Sequence, residues 1–470
     1  MSDFSILQSG LTARIKSRSM GVKLIVVCGL ALLMTIPALL VGGLVEDRTK
    51  RAADVIREIS GHVGGQQTFL GPTLAIPYSI PPQSPVDSVK HGMYLVFPAR
   101  ASAVVKAATE ERRRSLFKVS VFQADLKLDA TFDLTAVPSA VPQGAELDWS
   151  RAEIVVGVSD ARGALADAML TVDGRTVTLV PAEIAQDISI GGDQSEHIKL
   201  TLFGAKAEGI AKPNAQFDVT SALRFSGAQR IAVLAYGKTT QVTMQGDWPS
   251  PGFDGGFLPI TRTVSKNGFT AEWSVPFIAR GVRAEGQSDS ITGLDLTALG
   301  VSFIEVADPY QSVNRSLKYA ALFLGLLFLS YFVFEVTTGK RVHSAQYVLV
   351  GIAQIIFYLL LLALSERIGF DFGFLLAGVA TVVLLSANAG WVFCSRLQGI
   401  RALLSFTLLY VLIYMLLRLE DNALLVGAIA SFLAVVAAMY FTREIDWYSS
   451  LPVRGTPEPQ TTPLVPSATP

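Results

Sequence analysis

Few side chains in this sequence combine a type and a setting that chemistry asks for, and most of them lie in its apolar second half. Glu335 stands in Phe334-Glu335-Val336, at the end of a long apolar run. A carboxylate in hydrocarbon costs a few kcal/mol on insertion scales, so it must find a partner, water or the membrane edge. It is expected either to pair or handle protons with Lys340, Arg341 or His343, or to snorkel to the interface. His343-Ser344-Ala345-Gln346-Tyr347 follows. The imidazole is a group that can titrate near neutral pH, yet His343, Gln346 and Tyr347 are also what anchors a helix at headgroup level. Glu366, Arg367, Asp371, Arg418, Glu420 and Asp421 fall in the alternate connections. They form either one polar cluster or a set of solvated loop ends worth under about 1 kcal/mol per pair. Gln354 and Asn388 are mid-run amides, suited to a transport path or to hydrogen bonds between helices.

The constellations of common enzymes do not occur. There are four histidines, and none sits in a His-Glu-x-x-His zinc motif. No Gly-x-Ser-x-Gly nucleophile elbow is present. Thr338-Gly339-Lys340-Arg341 lacks the upstream glycine and following Ser/Thr of a phosphate loop. No catalytic, cofactor-binding or metal-ligating residue is assigned.

The elements that position these residues are five apolar runs at 318–336, 346–365, 370–393, 402–417 and 423–441. A hydrocarbon core about 30 Å thick needs about 20 apolar residues in a helix, so each run predicts a span. A sixth run, 22–45, opens the chain after a basic stretch with Arg14, Lys16 and Arg18. Its length favours an uncleaved anchor over a signal peptide, whose apolar core is about 7–15 residues. Pro37 predicts a kink within it. Half of the 470 residues are hydrophobic and 17% are charged, as in membrane proteins. The net charge of zero is neutral on nucleic acid, and no such partner is assigned.

Between the first and second runs the texture changes. Residues 46–60 read as a charged helical linker stopped by Gly61, Gly64 and Gly65. From about 69 to 308, short β-rich runs recur between Gly, Pro, Asp and Asn clusters, including alternating stretches at 116–123 and 126–134. Val172-Asp173-Gly174-Arg175 predicts a hairpin turn. Neither cysteine, Cys28 or Cys394, lies in this part, so it must carry its own core. One or two antiparallel β-sandwiches, within a domain at 46–315, are expected.

Lys340 and Arg341, and Arg396 and Arg401, mark alternate connections as cytoplasmic. With a basic N-terminus (1–21) inside, six spans return a cytoplasmic tail (442–470), Pro-rich and disordered from 451. The β domain then lies outside, in the periplasm of a bacterium.

Gly71-Pro72-Thr73-Leu74-Ala75-Ile76-Pro77-Tyr78, Gly256-Phe257-Leu258-Pro259 and Gly268-Phe269-Thr270-Ala271-Glu272-Trp273 carry a resemblance to a known family. So do Phe334-Glu335, His343 to Tyr347, Leu419-Glu420-Asp421 and Met439-Tyr440-Phe441-Thr442-Arg443 through Asp446-Trp447. In order and spacing the chain resembles the CreD family of bacterial inner-membrane cell-envelope integrity proteins over about residues 20 to 450. It departs at Ser344, where the family usually has Pro, and at Arg367, where His is common. The resemblance implies a role in envelope stress, often linked to two-component sensing and to altered β-lactam or colicin sensitivity, and supplies no catalytic residue.

The combined reading is an α-helical membrane protein with six transmembrane helices and an inserted, mainly antiparallel, sandwich-like β domain in the periplasm. It is expected to act without catalysis, in the bilayer, by binding envelope components or other membrane proteins. The alternative is a transporter or exporter of a lipid or envelope intermediate through the block at 318–441.

Overall fold

The structure, a computed structural model, describes residues 20–82, 89–114, 117–135, 137, 141, 144–184, 187–190, 198–288, 291–304, 309–418 and 423–443. The basic stretch before residue 20, the 419–422 connection and the Pro-rich tail lie outside the described residues. The chain forms two compact units: Met1–Thr49 with Ala307–Pro470, and Lys50–Val306.

The second unit is built on strands β1 Gln67–Ile80, β2 Lys90–Val96, β3 Arg100–Arg114, β4 Phe117–Asp133, β5 Glu146–Leu147 and β6 Glu153–Val158. There follow β7 Met169–Val172, β8 Arg175–Thr178, β9 Val180–Pro181, β10 Asp187–Ile190, β11 Ile198–Lys206, β12 Gln216–Ala228 and β13 Arg230–Leu234. The set ends with β14 Thr239–Gly246, β15 Pro251–Gly255, β16 Thr261–Ser265, β17 Gly268–Val275, β18 Glu285–Gln287 and β19 Ala298–Phe303. One sheet runs β10-β11-β6-β1-β13-β19-β15, with β2, β5, β9 and β18 attached; the other runs β16-β17-β14-β3-β4-β12-β7-β8.

Two features correct the sequence reading. The runs at 116–123 and 126–134 are one strand, Phe117–Asp133, because the apolar–polar alternation continues through Ala124-Asp125, with Ala124 buried and Asp125 exposed. The sheets are also mixed, since β1 pairs β13 and β3 pairs β14 in parallel. Parallel pairing joins strands distant in sequence, which local alternation does not reveal.

A single apolar core lies between the sheets, with Leu74, Ile76 and Val301 from one and Val105, Leu126 and Leu128 from the other. Tyr236, at the end of β13, passes its ring over Gly71 and places its hydroxyl 2.8 Å from the Ser102 and Asp129 carbonyls of the opposite sheet. A Cβ on Gly71 would lie 2.5 Å from that ring. The predicted hairpin forms, with Asp173 at φ 47° and Gly174 at φ 81°.

The first helix, α1 Met20–Val63, is continuous through its apolar and charged halves, and Gly61 stays helical. Its end packs Ile56, Ile59 and Val63 on Val119, Val121 and Ala228 of the β unit. In the same unit the short helix α2 Phe277–Arg280 follows β17.

The helical unit contains α3 Pro309–Lys318, α4 Ala320–Thr338, α5 Ser344–Ile368, α6 Phe370–Val392, α7 Arg396–Arg418 and α8 Ala423–Thr442. Among the described residues, five helices are long and apolar enough to cross a membrane: α1, α4, α5, α6 and α7. α3 is short and amphipathic; Tyr310, Val313 and Ser316 are buried at three-residue spacing, against α4 to α7.

Candidate functional site

Glu335 is 1% exposed, so its carboxylate has lost nearly all contact with solvent. α4 ends at Gly339, in the left-handed conformation, and the chain returns at once into α5. That reversal brings the Val342 amide to 2.9 Å from Oε1 and the Tyr347 hydroxyl to 2.9 Å from Oε2. The counter-charge is Lys23 of α1, whose Nζ contacts Oε1 and also donates to the Val342 carbonyl at 2.7 Å. Each carboxylate oxygen is therefore bonded, as a buried anion requires.

The cations expected beside Glu335 are placed elsewhere. Lys340 Nζ donates to the Phe393 carbonyl, and Arg341 is exposed. His343 is the N-cap of α5, its Nδ1 accepting the Ala345 amide at 3.2 Å. Gln346 is half-buried and donates its backbone N–H to the His343 carbonyl at 2.9 Å. Tyr347 is fully buried. Lys23 escaped sequence reasoning, although it is the one charge inside the first apolar run and so the only signal available.

The charged residues at the other ends of these helices fall into two groupings. Glu366 is 3.1 Å from the Tyr310 hydroxyl and 3.9 Å from Arg48. Asp371 pairs with Arg418 and accepts from the Tyr414 hydroxyl at 3.1 Å. Arg367 is exposed, and Glu420 and Asp421 lie outside the described residues.

Each mid-span amide meets a tyrosine on another helix. The Tyr410 hydroxyl of α7 donates to Gln354 Oε1 of α5 at 2.7 Å. Asn388 Nδ2 of α6 donates to the Tyr331 hydroxyl of α4 at 2.8 Å. Tyr331 stacks on Phe406, centroids 5.8 Å apart, and meets Tyr347 edge-on at 6.1 Å. An aromatic and amide network thus ties α4, α5, α6 and α7 together. Among the described residues no group of three or more His, Cys, Asp or Glu side chains could hold a metal ion.

Residues 19–448 match the family described as Inner membrane protein CreD. Inner membrane protein CreD of Escherichia coli (strain K12) is 32% identical over 437 residues, covering 90% of this chain and 93% of that one. The motif order, the helical unit with its inserted β unit and the match over nearly the whole length agree, and the chain belongs to the CreD family of inner membrane proteins.

Proposed function

We propose that the protein maintains cell-envelope integrity, or responds to envelope stress, by binding partners or envelope components through its β unit without catalysing a reaction. The observation that carries this reading is a β unit of residues 50–306 inserted between two apolar helices of a CreD-family chain. The helices, by contrast, commit Gln354 and Asn388 to hydrogen bonds with Tyr410 and Tyr331 of neighbouring helices. In this reading α8, 20 residues long, is a sixth span, both termini are cytoplasmic and the β unit is periplasmic. Lys340, Arg341, Arg396 and Arg401 support that orientation. Reporter fusions after residues 70 and 443, combined with β-lactam challenge of a deletion strain carrying the chain or lacking it, test both parts. An externally active tail fusion, or equal survival of the two strains, overturns the reading.

A second reading, transport of a lipid or envelope intermediate through the helices, is favoured by five buried polar atoms of α5, α6 and α7 without hydrogen-bond partners among the described residues: Gln346 Oε1, Gln354 Nε2, Ser365 Oγ, Ser386 Oγ and Gln398 Oε1. Such atoms are costly unless something visits them. Substrate flux in proteoliposomes that Gln354→Leu abolishes supports it.

A further inference from the structure

The chain passes from the helical unit into the β unit between Thr49 and Lys50, inside α1, and returns between Val306 and Ala307, just before α3. Arg48 lies within two residues of the first crossing and Tyr310 within four of the second. These two side chains, far apart in sequence, reach the same atom. Arg48 Nη1 is 3.9 Å from Glu366 Oε1, and the Tyr310 hydroxyl donates to that oxygen at 3.1 Å.

Glu366 belongs to the last turn of α5, and its side chain is only 9% exposed. A carboxylate so secluded has given up most of its hydration and depends on its partners. Among the described residues Arg48 is its one ion-pair partner; Arg367, next to it in sequence, is exposed.

The elements that meet at this oxygen are themselves well fastened. α1 is helical without interruption from Met20 to Val63, so whatever displaces residue 48 displaces the turns on both sides of the crossing. Its last turns pack Ile56, Ile59 and Val63 on Val119, Val121 and Ala228 of β4 and β12. Lys23 ties the same helix to Glu335, about 37 Å of helix away from Arg48. α3 is seated by Val313 and Ser316, buried against α4 to α7.

We propose that Glu366 is a clasp that couples the two crossings, so that a load on the β unit is delivered to the helices through both connections together. The coupling follows from the shared oxygen. Without Arg48 the carboxylate is an uncompensated charge in a secluded place and turns toward water, taking Oε1 from Tyr310. Without the Tyr310 hydroxyl, Oε1 loses the donor that holds it within reach of Arg48. The clasp requires no assumption about what the β unit binds.

Hydrogen exchange followed by mass spectrometry, on the full chain in lipid nanodiscs, tests this in peptides covering residues 44–52 and 309–318. Arg48→Met is expected to speed exchange in 309–318 by about threefold or more, although Arg48 lies on α1. Tyr310→Phe should do the same in 44–52. The double variant should exceed the single ones by little, because each already opens the clasp. Glu366→Gln, which keeps an acceptor for Tyr310 and removes the charge, should speed exchange in both segments. Arg418→Met, which breaks the exposed pair with Asp371, should leave both as in wild type. Exchange across α6 reports general loosening of the fold. Effects confined to the segment that carries the substitution, wild-type protection of both segments in Glu366→Gln, or a rise of equal size in α6 overturns the proposal.

Discussion

Lys23 and Glu335, 312 positions apart, form an ion pair inside the helical unit that fastens the first helix to the end of α4. Removing one member strands a buried charge, which costs about 3–5 kcal/mol, whereas replacing both by apolar or neutral groups of similar size is often tolerated. Lys23→Ala is therefore expected to destabilise the protein by about 3 kcal/mol or more, and Lys23→Met with Glu335→Gln by much less. Unfolding in detergent followed by tryptophan fluorescence measures both. A Lys23→Ala protein as stable as wild type contradicts the assignment.

Gly71→Ala places a methyl group 2.5 Å from the Tyr236 ring, where only displacement of the ring or of β1 makes room. A loss of about 1–3 kcal/mol is expected, in the range for overpacking a filled core. Tyr236→Phe removes the hydroxyl between the Ser102 and Asp129 carbonyls and should cost about 1–3 kcal/mol for the buried acceptors left behind. Protease resistance of the β unit in the intact protein reads out each change.

Glu153 supplies a pH dependence. It is 3% exposed on β6, and burial raises its carboxyl above the ordinary range, only partly offset by the Ile184 and Glu183 backbone amides. A folded pKa above the unfolded one means the favourable protonated form is fully populated below about 4.5, and stability falls as pH rises through the folded value. Glu153→Gln should thus melt higher than wild type at pH 8, and the gap should close by about pH 4. A gap of constant size across that range refutes the burial account.

In the membrane block, Tyr410→Phe removes the donor to Gln354 Oε1. Interhelical hydrogen bonds of this kind are worth about 0.6–2 kcal/mol, so a modest fall in melting temperature is expected with no change of oligomeric state or expression. Gln354→Leu should give a similar fall, and the double variant less than the sum, because both substitutions delete the same bond. Strict additivity rules out the contact.

Length and composition made the helices readable, because a run such as 370–393 has no soluble packing that hides all its faces. Glu335 was readable as a group in need of a partner for the same reason. Its partner was not, since loop cations at 340, 341 and 343 are nearer in sequence and nothing local ties Lys23 to them. In the β unit, the Asp173-Gly174 turn follows from backbone sterics and was legible, whereas the β1–β13 and β3–β14 pairings depend on long-range packing. Tyr347 shows a third limit. Composition suggests an interfacial anchor, but its position in the first turn of α5 turns the hydroxyl inward onto a carboxylate.

The place of β1 in its sheet has a consequence for how the protein is made. This is the first strand to emerge during synthesis, yet its leading half is flanked by β6 and β13, which follow at Glu153–Val158 and Arg230–Leu234. Sheets closed by such distant partners form slowly, and their open edges are exposed while they wait. The nascent chain must therefore keep Gln67, Thr68 and Phe69 unpaired on the β13 side until more than 160 further residues have appeared.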